Sequence, residues 1–455
     1  MRPTKPVWAG SYQTSTKKSA QRILSTEQSL EAYLSLALTL MVLLFAAVVE
    51  DYLGNPDVHE YQCYANDFWY GAQAIQAIPA SQCQSHTQIS QYHSFPLEYP
   101  PSALIAFSPP LLGAVADYPA LFALWMGVMV AMIYWLLLRY GPRKAATFFT
   151  IGLLVGCQAT SLARFDMFPA ALTLLCLILA EHRHWTLAYI ALALGVLIKA
   201  YPIALFPLLF LAEQREQAGF FVPEQSQPLK MLPGVLLQTI RNLRNWHWKN
   251  ALIFTGLVAG VTACFWGLSH QGAFAWFFYL YQRPFEVEST GSVLLWLASL
   301  VGVPVIWVTS FGSWNILSPI AGALSQGLVI LFASGYLYIV IQQWRGKMGL
   351  FQACLAALML MIASGKVFSP QYLLWLMPLL AISAPGNRRL WLAWVGICCL
   401  TTLLYPVYYG IINYNHASSQ IPGFLPTILL RDGLFVALML AYLFNFRHLR
   451  EPDVM

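Results

Sequence analysis

The chain has 455 residues, 58% of them hydrophobic and only 10% charged, with a formal net charge of +6 and a mean hydropathy of +0.59. A soluble globular domain carries about a quarter charged residues, so this balance excludes one. Apolar runs of about 17 to 25 residues cross a bilayer as helices, and the alternating pattern of a barrel strand is absent, so the expected fold class is an all-α, polytopic integral membrane bundle.

In chain order, residues 1–30 read as a cytosolic N-terminal tail carrying Arg2, Lys5, Lys17, Lys18 and Arg22. The apolar run 33–49 lacks a small-residue cleavage site and ends in Glu50 and Asp51, which makes it a retained anchor and not a signal peptide. It opens a polytopic membrane domain over 31–446, in which 51–117 is a long external loop with interfacial helices. Further spans are expected over 118–138, 145–162, 165–180, 185–200, 202–212, 250–268, 316–342, 349–365, 370–384, 390–407 and 426–445, about twelve crossings in all. The 202–212 piece is short for a span, and the runs 101–115 and 291–308 are interrupted by Pro or Gly and read as re-entrant or interfacial segments. The connection 213–249 sets Leu236, Ile240, Leu243 and Trp246 at helical spacing, as in an amphipathic helix on the inner leaflet. Residues 447–455 form a cytosolic C-terminal tail.

Charge supports this threading. With both termini inside, the cytosolic pieces hold 20 of the 25 Lys and Arg residues, as the positive-inside rule requires. The five that remain, Arg164, Lys199, Arg283, Lys366 and Arg431, fall at outer span ends or outer connections, where an isolated cation in apolar surroundings is a functional candidate. Acids gather on the same side. The external stretch 51–101 holds Asp51, Asp57, Glu60, Asp67 and Glu98 and no Lys or Arg.

Within it, Asp57 and Tyr61 follow the first span in NPDVHEYQCYANDFWYG. A carboxylate there suits a general base that takes a proton from a hydroxyl; the alternative is an Asp that merely starts a helix. Cys63 and Cys83 lie in the same loop and can form a disulfide if the compartment is oxidising, whereas the other six cysteines sit in apolar runs as small hydrophobes. The prolines of FPLEYPPSALIAFSPP break the backbone beside Glu98 and Tyr99, which is tolerated at membrane depth where it lines a cavity. Arg164 and Asp166 either neutralise each other locally or present Asp166 to Asp57 across that cavity. Lys199, Arg283 beside Glu286 and Glu288, and Lys366 ahead of Gln371 and Tyr372 suit contacts to phosphate oxygens. No His or Cys metal cluster, phosphate-cradling Gly-rich loop or dinucleotide fingerprint occurs, and the basic residues are too scattered for nucleic acid.

Taken together, Asp57 with Tyr61, the Tyr99-Pro-Pro101 turn, Asp166, Lys199-Ala-Tyr-Pro202, the stretch from Arg283-Pro284 to Glu288-Ser289, and Ser369-Pro-Gln-Tyr-Leu-Leu-Trp375 resemble the GT-C superfamily of polytopic, lipid-carrier-dependent glycosyltransferases. The nearest branch is glycosyltransferase family 87, over about residues 33–445. The resemblance implies transfer of a hexose, mannose by preference, from a polyprenyl-phosphate sugar to a lipid or glycan acceptor, with inversion, at the outer face of a bacterial inner membrane. It implies Asp57 as base, Asp51, Glu60, Asp166 and Tyr61 as supporting or acceptor-side groups, and Lys199, Arg283 and Lys366 as donor-phosphate contacts. Glu98, Tyr99, Glu288, Gln371 and Tyr372 complete the expected site. The loop lacks the paired Asp-x-Asp of the superfamily, so a divalent metal stays an open alternative. The rival reading is a transporter or flippase for an anionic or glycosylated lipid; the gathering of unusual charges at one face favours the enzyme, since a transporter needs access from both.

Overall fold

The computed structural model describes residues 56–79, 83, 95–142, 144–217, 243–383, 387–412 and 421–445, with scattered helical positions between 33 and 44. Most of the first predicted span, Asp51, both tails and most of the 213–249 connection lie outside the described residues.

The apolar runs become helices. Helix α1 (Pro56–Tyr70) precedes the Pro-interrupted stretch, which breaks into short turns over Pro101–Ala103, Leu104–Phe107 and Pro109–Leu112. There follow α2 (Tyr118–Tyr140), α3 (Ala145–Gly156), α4 (Met167–Glu181), α5 (Trp185–Ile198) and α6 (Phe206–Gln217). After the undescribed connection come α7 (Trp248–Leu268), α8 (Ala275–Gln282) and α9 (Thr290–Ser299). Helices α10 (Ala321–Trp344), α11 (Leu350–Ser364), α12 (Leu373–Ser383), α13 (Arg388–Thr402) and α14 (Phe424–Asn445) complete the set.

Among the described residues, five stretches are long and apolar enough to cross a membrane, Val115–Tyr140, Trp248–Leu268, Ala321–Trp344, Arg388–Tyr409 and Phe424–Phe444, against the twelve crossings expected of the whole chain. The shorter apolar helices owe their brevity to the core. Helix α12 buries every residue from Leu373 to Ala381, and α4 and α5 are buried along most of their length. Such helices contact protein in place of lipid. Pro and Gly break their ends into tight turns, as at Tyr201–Leu205 and Pro370–Tyr372, and stop α3 at Gly156. Backbones approach closely where the side chain is absent. A Cβ at Gly152 of α3 would lie 2.9 Å from Met377 Sδ on α12, and one at Gly156 would lie 2.7 Å from Cys398 Cβ on α13. The four-residue spacing of small residues is the device that lets membrane helices touch.

The purely helical expectation is corrected in one place. Strands β1 (Phe285–Glu286), β2 (Ile306–Ser310) and β3 (Ser313–Leu317) form an antiparallel sheet in the order β1-β3-β2. The β2–β3 hairpin turns on Phe311 and Gly312, both with positive φ (53° and 64°), the two-residue turn that matches strand twist. Only the outer ends of the two strands, 306–308 and 316–317, fall in the apolar runs 291–308 and 316–342; the turn and the residues beside it lie in the gap between those runs.

At one end of the bundle a polar set ties four helices together. Asn250 on α7 donates to Glu213 on α6 (2.6 Å) and accepts from Thr186 on α5 (2.8 Å). Gln214 and the His247 backbone exchange bonds, and Arg215 donates to the carbonyl of Gln343 on α10 (2.9 Å). Arg183 pairs with Glu216. The sequence assigned all of these to the cytosolic side.

Candidate active site

The other end of the bundle gathers the acids and the isolated cations. Helix α1 starts with Pro56, whose missing N–H costs nothing at a first helical position, and carries Asp57 in its first turn, where the helix dipole favours a negative charge. The Asp57 side chain forms an ion pair with Arg164. Arg164 stands on the turn between α3 and α4, its N–H donating to Thr160 (3.1 Å). Asp166, two residues on, turns to another partner: its Oδ1 accepts from Lys199 Nζ (2.7 Å) and from the Trp375 indole (2.6 Å). The local Arg164–Asp166 pair offered by the sequence is thus replaced by two pairs between distant segments.

Exposure separates the two pairs. The Asp57 side chain keeps 30% of its surface exposed, whereas that of Asp166 keeps 1%. Lys199, at the end of α5, is boxed by rings, its Nζ lying 4.7 Å from the Phe165 centroid, 5.2 Å from Tyr99 and 5.4 Å from Trp375. Trp375 is itself sandwiched, with Tyr201 at 4.1 Å and Tyr372 at 3.9 Å. The rings give Lys199 a π-lined setting that favours a cation against the effect of burial, and the aromatic stack fixes the indole that Asp166 uses.

Tyr61 packs in place of projecting into the site. Its ring stacks on Phe107 at 4.5 Å and meets Phe165 edge-on at 5.5 Å and Tyr99 at 6.1 Å. Burial pushes the Tyr61 and Tyr99 hydroxyls far up, so both stay neutral. Glu60 is half-buried on α1, and Asp67 is buried one helical turn before its end. Cys63, also on α1, is joined to Cys83 by a disulfide.

A second group faces these residues. Glu98 accepts from the Tyr279 hydroxyl of α8 (2.8 Å), and the hairpin tip closes over it, since a Cβ at Gly312 would lie 3.3 Å from Glu98 Oε1. Arg283 donates through Nη2 to Ser313 of the hairpin (2.8 Å) and lies 3.9 Å from Glu286. Its Nε is buried with no hydrogen-bond partner among the described residues, and the same holds for Asp166 Oδ2. Burial works against the Arg283 charge, but Glu286 and the other acids outweigh it and raise its pKa. Lys366 Nζ donates to the carbonyls of Tyr281 (3.0 Å) and Arg283 (3.1 Å), which brings the two cations together. Gln371 accepts from Ser369 (2.5 Å). Tyr372 lies within electrostatic reach of Arg283, Glu286, Asp166 and Glu98, so the two groups belong to one polar cluster, hereafter the chamber, in an apolar scaffold.

Behind these residues lies a cluster of which the sequence reading named Glu288 as a site candidate and Arg431 as an isolated cation, without joining them. Arg431 of α14 is fully buried and donates to Glu288 Oε2 (2.8 Å) and Asp432 Oδ1 (2.9 Å). Burial raises Glu286, against Arg283 and the Phe368 N–H, and pushes Glu288 up to about 8, against Arg431. Arg431 and Asp432 were visible as adjacent charges in an apolar run. Trp375 and Ser313 carried no such signal. Among the described residues no group of three or more His, Cys, Asp and Glu side chains is arranged to hold a metal ion. Asp51 lies outside the described residues.

Compared with known proteins, residues 97–222 match the model of glycosyltransferase family 87, so the chain is similar to that family over 126 of its 455 residues. The matched stretch includes Glu98, Tyr99, Arg164, Asp166 and Lys199, while Asp57, Arg283 and Lys366 fall outside it. No curated protein and no solved structure matches the chain.

Proposed function

From this similarity and the polar chamber we propose that the chain is an integral-membrane glycosyltransferase that moves a hexose, mannose first, from a polyprenyl-phosphate sugar to a lipid or glycan acceptor at the outer face. The observation that carries the reading is the contrast between the two acids. Asp57 is held by Arg164 yet stays accessible, as a base must be; Asp166 is sealed under Lys199 and Trp375 and supports the site from behind.

In this reaction the acceptor hydroxyl attacks the anomeric carbon and gives its proton to the Asp57 carboxylate. The bond from that carbon to the phosphate oxygen breaks, and the electron pair leaves with the polyprenyl phosphate. Attack opposite the leaving group inverts the anomeric centre. The leaving oxygen gains charge, and preorganised cations stabilise it most in a site poor in water. Arg283, with Nε uncommitted, and Lys366 beside it suit that task; Lys199 adds charge from within its aromatic box. Chemistry of this kind needs no metal in the chamber, although acids such as Asp57 and Glu98 do not preclude a divalent ion.

The test is transfer of radiolabelled mannose from a polyprenyl-phosphate carrier to membrane lipid extract by purified protein. Wild type should transfer label and Asp57→Asn, folded equally well, should be slower by about 10² to 10⁴, the usual worth of a general base. If wild type transfers no label from mannose, glucose or arabinose carriers, the reading fails and a lipid flux assay follows.

A further inference from the structure

The segment 285–289, which opens with strand β1 and continues as a turn through Glu288, links the site to the interior of α14. Arg431 grips this segment by two groups of one residue, the Glu288 carboxylate (2.8 Å) and the Glu288 backbone carbonyl. Its guanidinium also lies 4.1 Å from the Phe368 ring centroid. The Phe368 N–H donates to Glu286 Oε2 (3.1 Å), and the Glu286 N–H donates to the Lys366 carbonyl (2.9 Å). One planar fork therefore binds the 285–289 segment and stacks on the one beside it. Arg283 and Lys366 are the residues at the free ends of these two segments, and they meet through the Lys366 to Arg283 carbonyl bond.

We propose that Arg431 is a positioning residue for anion binding: it locks the 285–289 segment to the 366–368 segment so that the Arg283 and Lys366 charges converge on one phosphate group. Arg431 is fully buried and presents no surface to a ligand. Stability alone is a weak reason for such a group, because a buried ion cluster can often be replaced by apolar residues of similar volume without loss. A fixed register is a stronger one. Lysine cannot reproduce the contact, since an ammonium lacks the planar fork that reaches Glu288 twice and Asp432 as well.

This proposal rests on Arg283 and Lys366 as phosphate contacts, and its test does not need sugar transfer. Binding of farnesyl phosphate, with farnesol as the uncharged control, is measured on purified protein by titration calorimetry. Wild type should bind farnesyl phosphate more tightly than farnesol. Arg431→Lys should weaken farnesyl phosphate about tenfold, the value of one charge-assisted hydrogen bond, and leave farnesol unchanged. Should Arg431→Lys fail to fold, the combined Arg431→Met, Glu288→Leu and Asp432→Asn protein removes the charges together and is read in the same way. A folded variant that binds farnesyl phosphate as wild type does overturns the proposal, as does a wild type that shows no preference for the phosphate. Wild type that binds the phosphate but transfers no sugar would sink the glycosyltransferase reading and leave this one standing.

Discussion

Glu288 is the residue where burial and pairing oppose each other most directly. It faces Arg431 and Asp432 from α14, Glu286 from its own segment and Tyr409 from the segment after α13, so three acids share the neighbourhood of one fully buried cation. Burial dominates and lifts Glu288 from about 4.5 to about 8. A carboxyl with a higher pKa folded than unfolded holds its proton more tightly when folded. The resulting stabilisation is complete below about 4.5, shrinks as pH rises and is gone above about 8, by at most about 1.4 kcal/mol per pH unit. The melting temperature in detergent should therefore fall between about pH 4.5 and pH 8, and Glu288→Gln should flatten that slope. A wild-type melting temperature that rises across the window contradicts the assignment.

Among the elements, α1 carries Asp57 and is held by its buried aromatic face, by bonds such as that from Gln62 to the Val115 carbonyl (2.6 Å) and by one covalent tie. The Cys63–Cys83 bond spans 20 residues, and closing a loop of that length restricts the unfolded chain by about 3 kcal/mol in the entropic account. Cys63→Ser with Cys83→Ser should lower the melting temperature and cut turnover through misplacement of Asp57, while Cys264→Ser, at an exposed free thiol, should do neither. Equal turnover per folded molecule would show that Tyr61 and its neighbours hold the helix alone. The elements also mark where sequence reading stops. Long apolar runs announced α2, α7, α10, α13 and α14 because hydrophobicity over a whole span is a local property. The hairpin did not announce itself: Trp307, Val308 and Ile316 look alike in a strand and in a membrane helix, and only the Phe311-Gly312 turn distinguishes them. The acids and cations of the chamber were readable one by one as charges in apolar surroundings. Their pairing was not, since Asp57 meets Arg164 and Glu288 meets Arg431 across long stretches of chain that only packing brings together.

At the scale of the whole molecule, the bundle has two polar ends of different character, one around Glu213 and Asn250 and one around Asp57 and Arg283. The charge asymmetry of the sequence assigns the first to the cytosol. In right-side-out membrane vesicles, a membrane-impermeant maleimide should label Thr309→Cys in the exposed hairpin and leave Gln217→Cys unlabelled until the vesicles are opened. The reverse pattern would invert the topology. The chamber end has one further property. Asp57 is closed on Arg164, Asp166 on Lys199, Glu286 lies against Arg283, and Glu288 and Asp432 share Arg431. Charges paired in this way act as short dipoles, whose field fades within a few ångströms, which leaves Glu98, bonded to the Tyr279 hydroxyl, and Lys366, bonded to carbonyls, as charges outside the ion pairs of the described residues. The lipid-linked donor proposed above would not need to be drawn in from solution by long-range attraction. It would arrive by wandering sideways within the bilayer sheet, a search in two dimensions whose pace is set by lipid fluidity and which dissolved salt has little means to slow.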